Sequence, residues 1–219
     1  MKKYLASLIL ILGCINSLCA SPADSVSTVY KDGEFKSHYQ TKVKASDIIA
    51  SEVANDLLKD LHSTPYHLFN WAFKDLGLQD KKKNEIIFVF KSSTTDAKTG
   101  ITHGEFDIIV PLIKTFNNIG VDAIVSKTKY LNGEMRINAN IIYSSLLLKY
   151  ALGTITIIQQ KNNQLLFITN IRIKFGWFFN IFITQKRFKK IMEWRLKKFV
   201  HNLRDEAERR ERKSEQVKN

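Results

Sequence analysis

The stretch QLLFITNIRIKFGWFFNIFITQKRFKKIMEWRLKKFVHNLRDEAERRER, residues 164–212, decides the fold of this chain. Residues 164–174 predict a β-strand, and residues 175–183 form a dense apolar corner around a Gly-Trp pair. Residues 184–212 then predict one long helix that is rich in both aromatic and basic side chains. We therefore expect the upstream chain to form a surface that this helix covers.

The predicted terminal helix has two distinct faces. Its apolar residues recur at a spacing of about 3.6, which is typical of a helix face that packs on a sheet or lines a cavity. The other face is basic, because seven Lys and Arg side chains accompany one acid, Glu193, between residues 184 and 199. Such a helix can lie on an anionic membrane surface, or it can simply be solvated. The apolar set is Phe188, Ile191, Met192, Leu196, Phe199, Val200 and Leu203, and the basic set is Lys186, Arg187, Lys189, Lys190, Arg195, Lys197 and Lys198.

The chain before residue 80 predicts one strand and a pair of short helices. Within residues 35–44, apolar and small side chains alternate with charged and polar ones, which predicts a half-buried strand. Ser46 is a good N-cap for a helix whose apolar residues recur as far as Leu61. A second helix is predicted for residues 64–77, where a Thr-Pro pair begins it and a glycine ends it.

Residues 86–174 predict a run of short strands joined by turns. The Asn-Gly pair at 132–133 and the Lys-Asn-Asn sequence at 161–163 predict two hairpins. Residues 92–102 predict a polar loop, and residues 111–118 predict either a continued strand, which we favour, or a short helix after Pro111. Consecutive strands with short turns imply an antiparallel meander. The predicted strands are 86–90, 105–110, 121–130, 134–143, 154–160 and 164–174.

The first twenty residues have the pattern of an export signal. Two lysines precede the apolar run 4–12, which is shorter than the roughly 20 residues that a membrane span needs. Cleavage after Ala20 is the favoured interpretation, lipid attachment at Cys14, within a sequence that resembles a bacterial lipobox, is the second, and an uncleaved anchor is the third. Both cysteines of the chain lie in this segment, so cleavage after Ala20 leaves no thiol for catalysis or metal binding. We expect a periplasmic or secreted protein.

The predicted elements define an α+β domain over residues 30–208, after a flexible lead-in at 21–29 and before a charged, frayed tail at 209–219. We expect a curved antiparallel sheet of about six to seven strands that grips the long C-terminal helix, with the helical pair after the first strand. This order resembles the helix-grip fold of the START and Bet v 1-like superfamily. The resemblance rests on element order, not on a residue motif. It implies that lipids, sterols or other apolar molecules bind between sheet and helix, and it assigns no functional residue.

Composition and motifs exclude several classes of function. A formal charge of +13 favours anionic partners, but we find no nucleic-acid motif and expect no nucleic acid, cofactor or metal. His103, Glu105 and Asp107 alternate along one predicted strand and offer acid-base or metal-binding groups. Because Phe106 and Ile108 mark the opposite face as the core face, we expect these three side chains to be solvated.

Two functional hypotheses follow from these patterns. The leading one is an exported protein that binds an apolar or lipid-like molecule between the sheet and the terminal helix. The alternative is a structural or interaction domain with a solid core, whose basic helix contacts an anionic membrane surface or partner. An enzyme of the cyclase or hydratase type is a third class, for which we can assign no residues. The predicted cavity wall is Phe188, Ile191, Met192, Phe199, Trp71 and Trp177, and the predicted membrane contacts are Lys186, Arg187, Lys189, Lys190, Lys197 and Lys198.

Overall fold

The computed structural model describes residues 24–63, 87–110, 113–144, 148–162, 164–177 and 184–218. These residues form an α+β arrangement of one antiparallel sheet and two α-helices. In chain order the elements are β1 Ser25–Lys31, β2 Glu34–Lys44, α1 Asp47–Ser63, β3 Ile87–Thr95, β4 Ile101–Val110, β5 Lys114–Lys129, β6 Met135–Ser144, β7 Leu148–Gln159, β8 Gln164–Phe175 and α2 Gln185–Lys218.

Within the described residues, eight strands form a single curved sheet in the order β1-β2-β8-β7-β6-β5-β4-β3. Every neighbouring pair is antiparallel, and β3 to β8 follow one another as the predicted meander. Because β2 pairs with β8, the first hairpin of the chain lies beside its last strand. The predicted hairpin at Asn132 and Gly133 is present: Gly133 has a φ of 81°, and the Asn132 side chain accepts a hydrogen bond from the backbone N–H of Glu134 at 3.0 Å.

Alternation along the strands gives the sheet one buried apolar face, which we call the concave face. In β2, Phe35, Tyr39 and Val43 are buried while the lysines between them are exposed, which confirms the predicted half-buried strand. Leu165 and Phe167 of β8 lie beside them in register and are equally buried. Burying each such side chain contributes about 1.5–3 kcal/mol to folding.

Helix α2 packs on the concave face along β1 and β2, not across the middle of the sheet. Phe188, Leu196, Val200 and Ala207 are buried on one side of the helix, which confirms the predicted apolar stripe. On the outer edge, the backbone N–H of Thr28 in β1 donates a 2.8 Å hydrogen bond to the Glu193 carboxylate. The helix therefore provides an acceptor for a backbone N–H of the edge strand β1, and it also covers apolar side chains of the concave face.

The C-terminal half of α2 also holds the start of α1. Ser46 precedes α1, and its carbonyl accepts the first helical hydrogen bond from Ala50, as expected of an N-cap. Glu211 is buried, and its Oε2 accepts 2.8 Å hydrogen bonds from both the backbone N–H and the hydroxyl of Ser46. One carboxylate thus links the first helix to the last.

Replacing Glu211 with alanine is expected to lower the free energy of unfolding by about 1–2 kcal/mol, because a buried N–H at a helix start loses its acceptor. Urea unfolding of E211A checks this. The matched control is E215A, one turn further along the same helix, where the side chain is exposed. Equal losses in the two variants would contradict a capping role for Glu211.

The predicted strand count of six to seven is too low because residues 25–31 form β1, and most of this segment falls in the lead-in predicted at 21–29. The small polar composition of this segment suggested a mobile segment. In the sheet, however, the hydroxyls of Thr28 and Ser37 bond to each other at 2.9 Å in a buried position. Hydroxyl residues that satisfy one another can therefore form an edge strand without apolar alternation.

Two predicted irregular segments are shorter than expected. The polar loop predicted at 92–102 reduces to a turn, because β3 extends to Thr95 and β4 begins at Ile101. The Asp96 carboxylate makes that turn by accepting hydrogen bonds from two backbone N–H groups that follow it. At 111–118 the helix alternative is wrong, and the strand interpretation holds only from Lys114 onward, since the chain turns between β4 and β5.

The helical predictions are only partly tested. Helix α1 matches the first helix of the predicted pair, whereas the second, at 64–77, lies outside the described residues. The tail predicted to fray at 209–219 continues α2 as far as Lys218. Arg209 and Arg210 each bond to Glu206 within the helix, so the high charge of this segment stabilises the helix.

Candidate ligand-binding face

The middle of the concave face is apolar but only half buried. Ala139 and Ile141 of β6, Ala151 and Gly153 of β7, and Ile173 of β8 have intermediate exposure. They are contiguous, because Ile141 pairs with Ala151, Ala151 pairs with Ile173, and Ala139 pairs with Gly153. We call these five residues the apolar recess.

Fully buried residues border the apolar recess at both ends. Ile137 and Ile155 lie on the same face on one side, and Leu148 and Phe175 lie beyond the other side. Solvent therefore reaches the concave face between two sealed rows of side chains. This pattern marks a shallow opening in an otherwise closed core.

Small side chains give the recess its depth. An added Cβ at Gly153 would lie 3.2 Å from the carbonyl oxygen of Ala139, closer than ordinary van der Waals contact. The position therefore tolerates little beyond glycine, and the two neighbouring alanines extend the small surface. No single one of these residues is conspicuous in the sequence, and only strand register brings them together.

The predicted wall residues on α2 lie in packed core. Phe188 is 1% exposed, and its ring centre lies 4.3 Å from that of Phe35 and 4.9 Å from that of Phe175. Ile191 and Met192 are buried as well. Side chains fill the contact between this part of α2 and the sheet.

The other predicted wall residues differ in their exposure to solvent. Phe199 is partly buried against the core. Trp177 is 70% exposed, and its assignment to a cavity wall stays a prediction. Trp71 lies outside the described residues.

The arrangement has counterparts among solved structures. They include the human StarD13 lipid transfer and protein localization domain, at 12% identity, with 90% of this chain and 96% of that one covered and a TM-score of 0.42. A START superfamily protein from Mycobacterium smegmatis has 10% identity, 81% and 97% coverage and a TM-score of 0.37. Truncated norcoclaurine synthase from Thalictrum flavum has 14% identity, 84% and 93% coverage and a TM-score of 0.38. No family model and no curated protein sequence matches.

The element order, the curved antiparallel sheet and the long terminal helix confirm the predicted resemblance. The described elements have the order of a helix-grip arrangement. At these identities the likeness concerns the fold alone.

A small cleft opens at another end of the sheet, beside the start of α1. It has a volume of about 10 Å³ and is bounded by Ala50 and Ser51 of α1 and by Met135, Ile157 and Leu165 of the sheet. That volume suits about one water molecule. The cleft is therefore too small for an organic ligand.

A polar cluster ties the beginning of β1 to α2. The Asp24 carboxylate accepts hydrogen bonds from the Thr41 hydroxyl and, at 3.4 Å, from the Arg204 guanidinium, and it lies 3.5 Å from His201 Nε2. Burial opposes ionisation of Asp24, but these three neighbours outweigh it and hold its pKa below the usual value. Burial, followed by the nearby Asp24 charge, raises the pKa of Tyr39. The charged groups of the cluster pair with one another within the fold, so we assign it a structural role.

A buried carboxylate lies on the opposite, convex face of the sheet. Glu34 is 6% exposed and accepts bonds from Arg172 Nε at 2.6 Å and Nη2 at 3.2 Å. Those bonds, helped by Tyr150 and Lys36 against the effect of burial, lower the pKa of Glu34 to about 2. The group is ionised and fully paired, as a structural ion pair would be.

The row of His103, Glu105 and Asp107 is solvent-facing, as predicted, while Phe106 and Ile108 are buried. His103 Nδ1 lies 2.7 Å from Asp122, and Asp107 accepts the backbone N–H of Asn118 at 2.9 Å. Across the described ranges, no three His, Cys, Asp or Glu side chains are placed to hold a metal ion.

The predicted membrane contacts on α2 are mostly exposed. Lys186, Lys189, Lys190, Lys197 and Lys198 face solvent, and Arg187 is half-buried. Of the helices that the structure describes, none is long and apolar enough to cross a bilayer.

Two features of α2 differ from the expected basic face. Arg195, included in that face from the sequence, is 7% exposed and belongs to the buried side. Trp194, which the sequence analysis did not single out, is 52% exposed among the lysines. Its spacing of four from Lys190 and Lys198 is the signal that would have revealed it.

Proposed function

We propose that this domain binds one apolar or lipid-like molecule at the apolar recess. The observation that supports the proposal is a contiguous, partly buried apolar surface of a glycine, two alanines and two isoleucines, with buried rows on either side of it in a curved sheet. A ligand that covers this surface would remove apolar area from water, which contributes about 25 cal/mol for each Å².

The chemistry of the recess favours an apolar ligand over a polar one. Its five residues offer only alkyl groups and a glycine backbone already engaged in the sheet. A polar ligand group placed there would lose its hydrogen bonds to water without replacement. The polar end of an amphipathic ligand must therefore stay at the opening.

Replacing Ala151 with phenylalanine tests the proposal by filling the recess. We expect binding of a long-chain fatty acid, followed by native mass spectrometry, to weaken about tenfold or more, because the added ring occupies the space that the chain needs. The matched control is L152F, the next residue of β7, whose side chain is 37% exposed on the convex face. Retained binding in A151F, or an equal loss in L152F, would contradict a site at the recess.

We also propose that the protein is exported, by cleavage after Ala20 or with a lipid on Cys14. The basic, apolar and small-residue pattern of the first twenty residues supports this. The intact mass of protein isolated from its own cells separates the outcomes. A mass that begins at Ser21 means simple cleavage, and a mass that begins at a diacylated Cys14 means lipidation. An uncleaved chain in the cytoplasm would contradict export.

A further inference from the structure

The exposed face of the first half of α2 combines an indole with four lysines. Trp194 is 52% exposed, and Lys186, Lys190, Lys197 and Lys198 are exposed at helical spacings from it. Lys198 Nζ lies 5.2 Å from the centre of the Trp194 ring. We propose that these five residues, the α2 docking face, bind the surface of an anionic lipid bilayer.

The sequence gives this face a net positive charge. Glu193 is the only acid between residues 184 and 199. Its carboxylate accepts the backbone N–H of Thr28 at 2.8 Å and lies 4.0 Å from Lys189, so it is directed away from the docking face. Within the described part of the chain, the four lysines of the docking face have no acidic partner within 4.0 Å.

The second half of α2 differs in charge. Glu206 bonds to Arg209 and Arg210, and Asp205 lies 3.3 Å from Arg204. Acidic and basic side chains therefore offset each other along this half, and the net positive charge of the helix is concentrated in its first half. A surface contact would accordingly tilt toward the N-terminal half of the helix.

The combination of groups favours a bilayer over other anionic partners. An indole suits the boundary between lipid chains and head groups, where its ring is in apolar surroundings and its N–H stays in polar ones. Lysines beside it gain from the negative surface potential, each by a factor of about five in partitioning. A single aromatic ring on a convex helix does not make the stacking groove that single-stranded nucleic acids need.

Vesicle co-sedimentation of the full-length protein tests the proposal. We expect stronger binding to vesicles of phosphatidylcholine with phosphatidylglycerol than to phosphatidylcholine alone, and a marked loss between about 0.1 M and about 1 M salt. The double variant K190E/K197E should bind at least about 30-fold more weakly, because two favourable lysine contributions are lost. The matched control is K42E/K161E, which makes the same charge change at exposed sites off this helix.

A second measurement reports on the indole itself. Trp194 should move into a less polar environment on the vesicle, so the blue shift in tryptophan fluorescence should diminish in W194A. Equal binding of K190E/K197E and K42E/K161E would overturn the docking face. Salt-insensitive binding, an undiminished blue shift in W194A, or a preference for duplex DNA with the same lysine dependence would overturn it as well.

Discussion

Replacing Phe188 with alanine is expected to lower the free energy of unfolding by about 4 kcal/mol. The side chain is 1% exposed and packs between the rings of Phe35 and Phe175, which join the first hairpin to the last strand. Truncation would leave a cavity that three separate elements border, and rigid strands can collapse into it only in part. Chemical denaturation of F188A measures the loss.

The control for this prediction lies on the same helix. Trp194 is half exposed, and W194A should change stability by less than about 1 kcal/mol. A loss in F188A as small as that in W194A would mean that α2 is not held by the packed contact described above. The prediction that Phe188 lines a cavity would then have to be tested again by ligand binding to F188A.

Replacing Glu34 with glutamine should lower stability by roughly 2 kcal/mol near neutral pH. The pKa of Glu34 falls from 4.5 in the reference state to about 2 in the fold. Converted in full, this pKa shift would correspond to a larger change in the free energy of unfolding. We reduce that change because Arg172 is 52% exposed and water partly screens its charge.

The lowered pKa of Glu34 determines how its contribution to stability changes with pH. A carboxylate with a lowered folded-state pKa stabilises the fold above pH 4.5, and its contribution disappears as pH falls toward 2. The wild type and E34Q should therefore differ most at pH 6 and converge by about pH 2. Other acids, including Glu206 with its pKa of about 2, are common to both proteins and cancel in the difference. A difference that is constant with pH would contradict an ionised, paired Glu34.

The sheet and the terminal helix could be predicted because their signals are local. Alternation in β2, the Asn-Gly hairpin and the 3.6 spacing of α2 each follow from a few neighbouring residues. The strand β1 could not be predicted, because it is held by hydroxyl and carboxylate partners on other elements, such as Ser37 of β2 and Glu193 of α2.

The sequence could predict an apolar binding site in general terms, but not the residues that form it. The apolar stripe of α2 suggested a cavity wall, but helical spacing cannot distinguish a packed face from a lined one. The recess instead depends on which small residues of β6 and β7 fall opposite each other, such as Ala139 and Gly153. Strand register of this kind is set by the whole sheet.

Methyl NMR with a titrated long-chain fatty acid tests the central claim most directly. Ile141 and Ile173 belong to the apolar recess, whereas the next residue, Ile142, is 54% exposed and is not part of it. We predict that the methyl signals of Ile141 and Ile173 shift with a common saturation curve while those of Ile142 stay constant. Unchanged Ile141 and Ile173 signals at saturating fatty acid, or shifts confined to Ile142, would contradict a ligand site on the concave face.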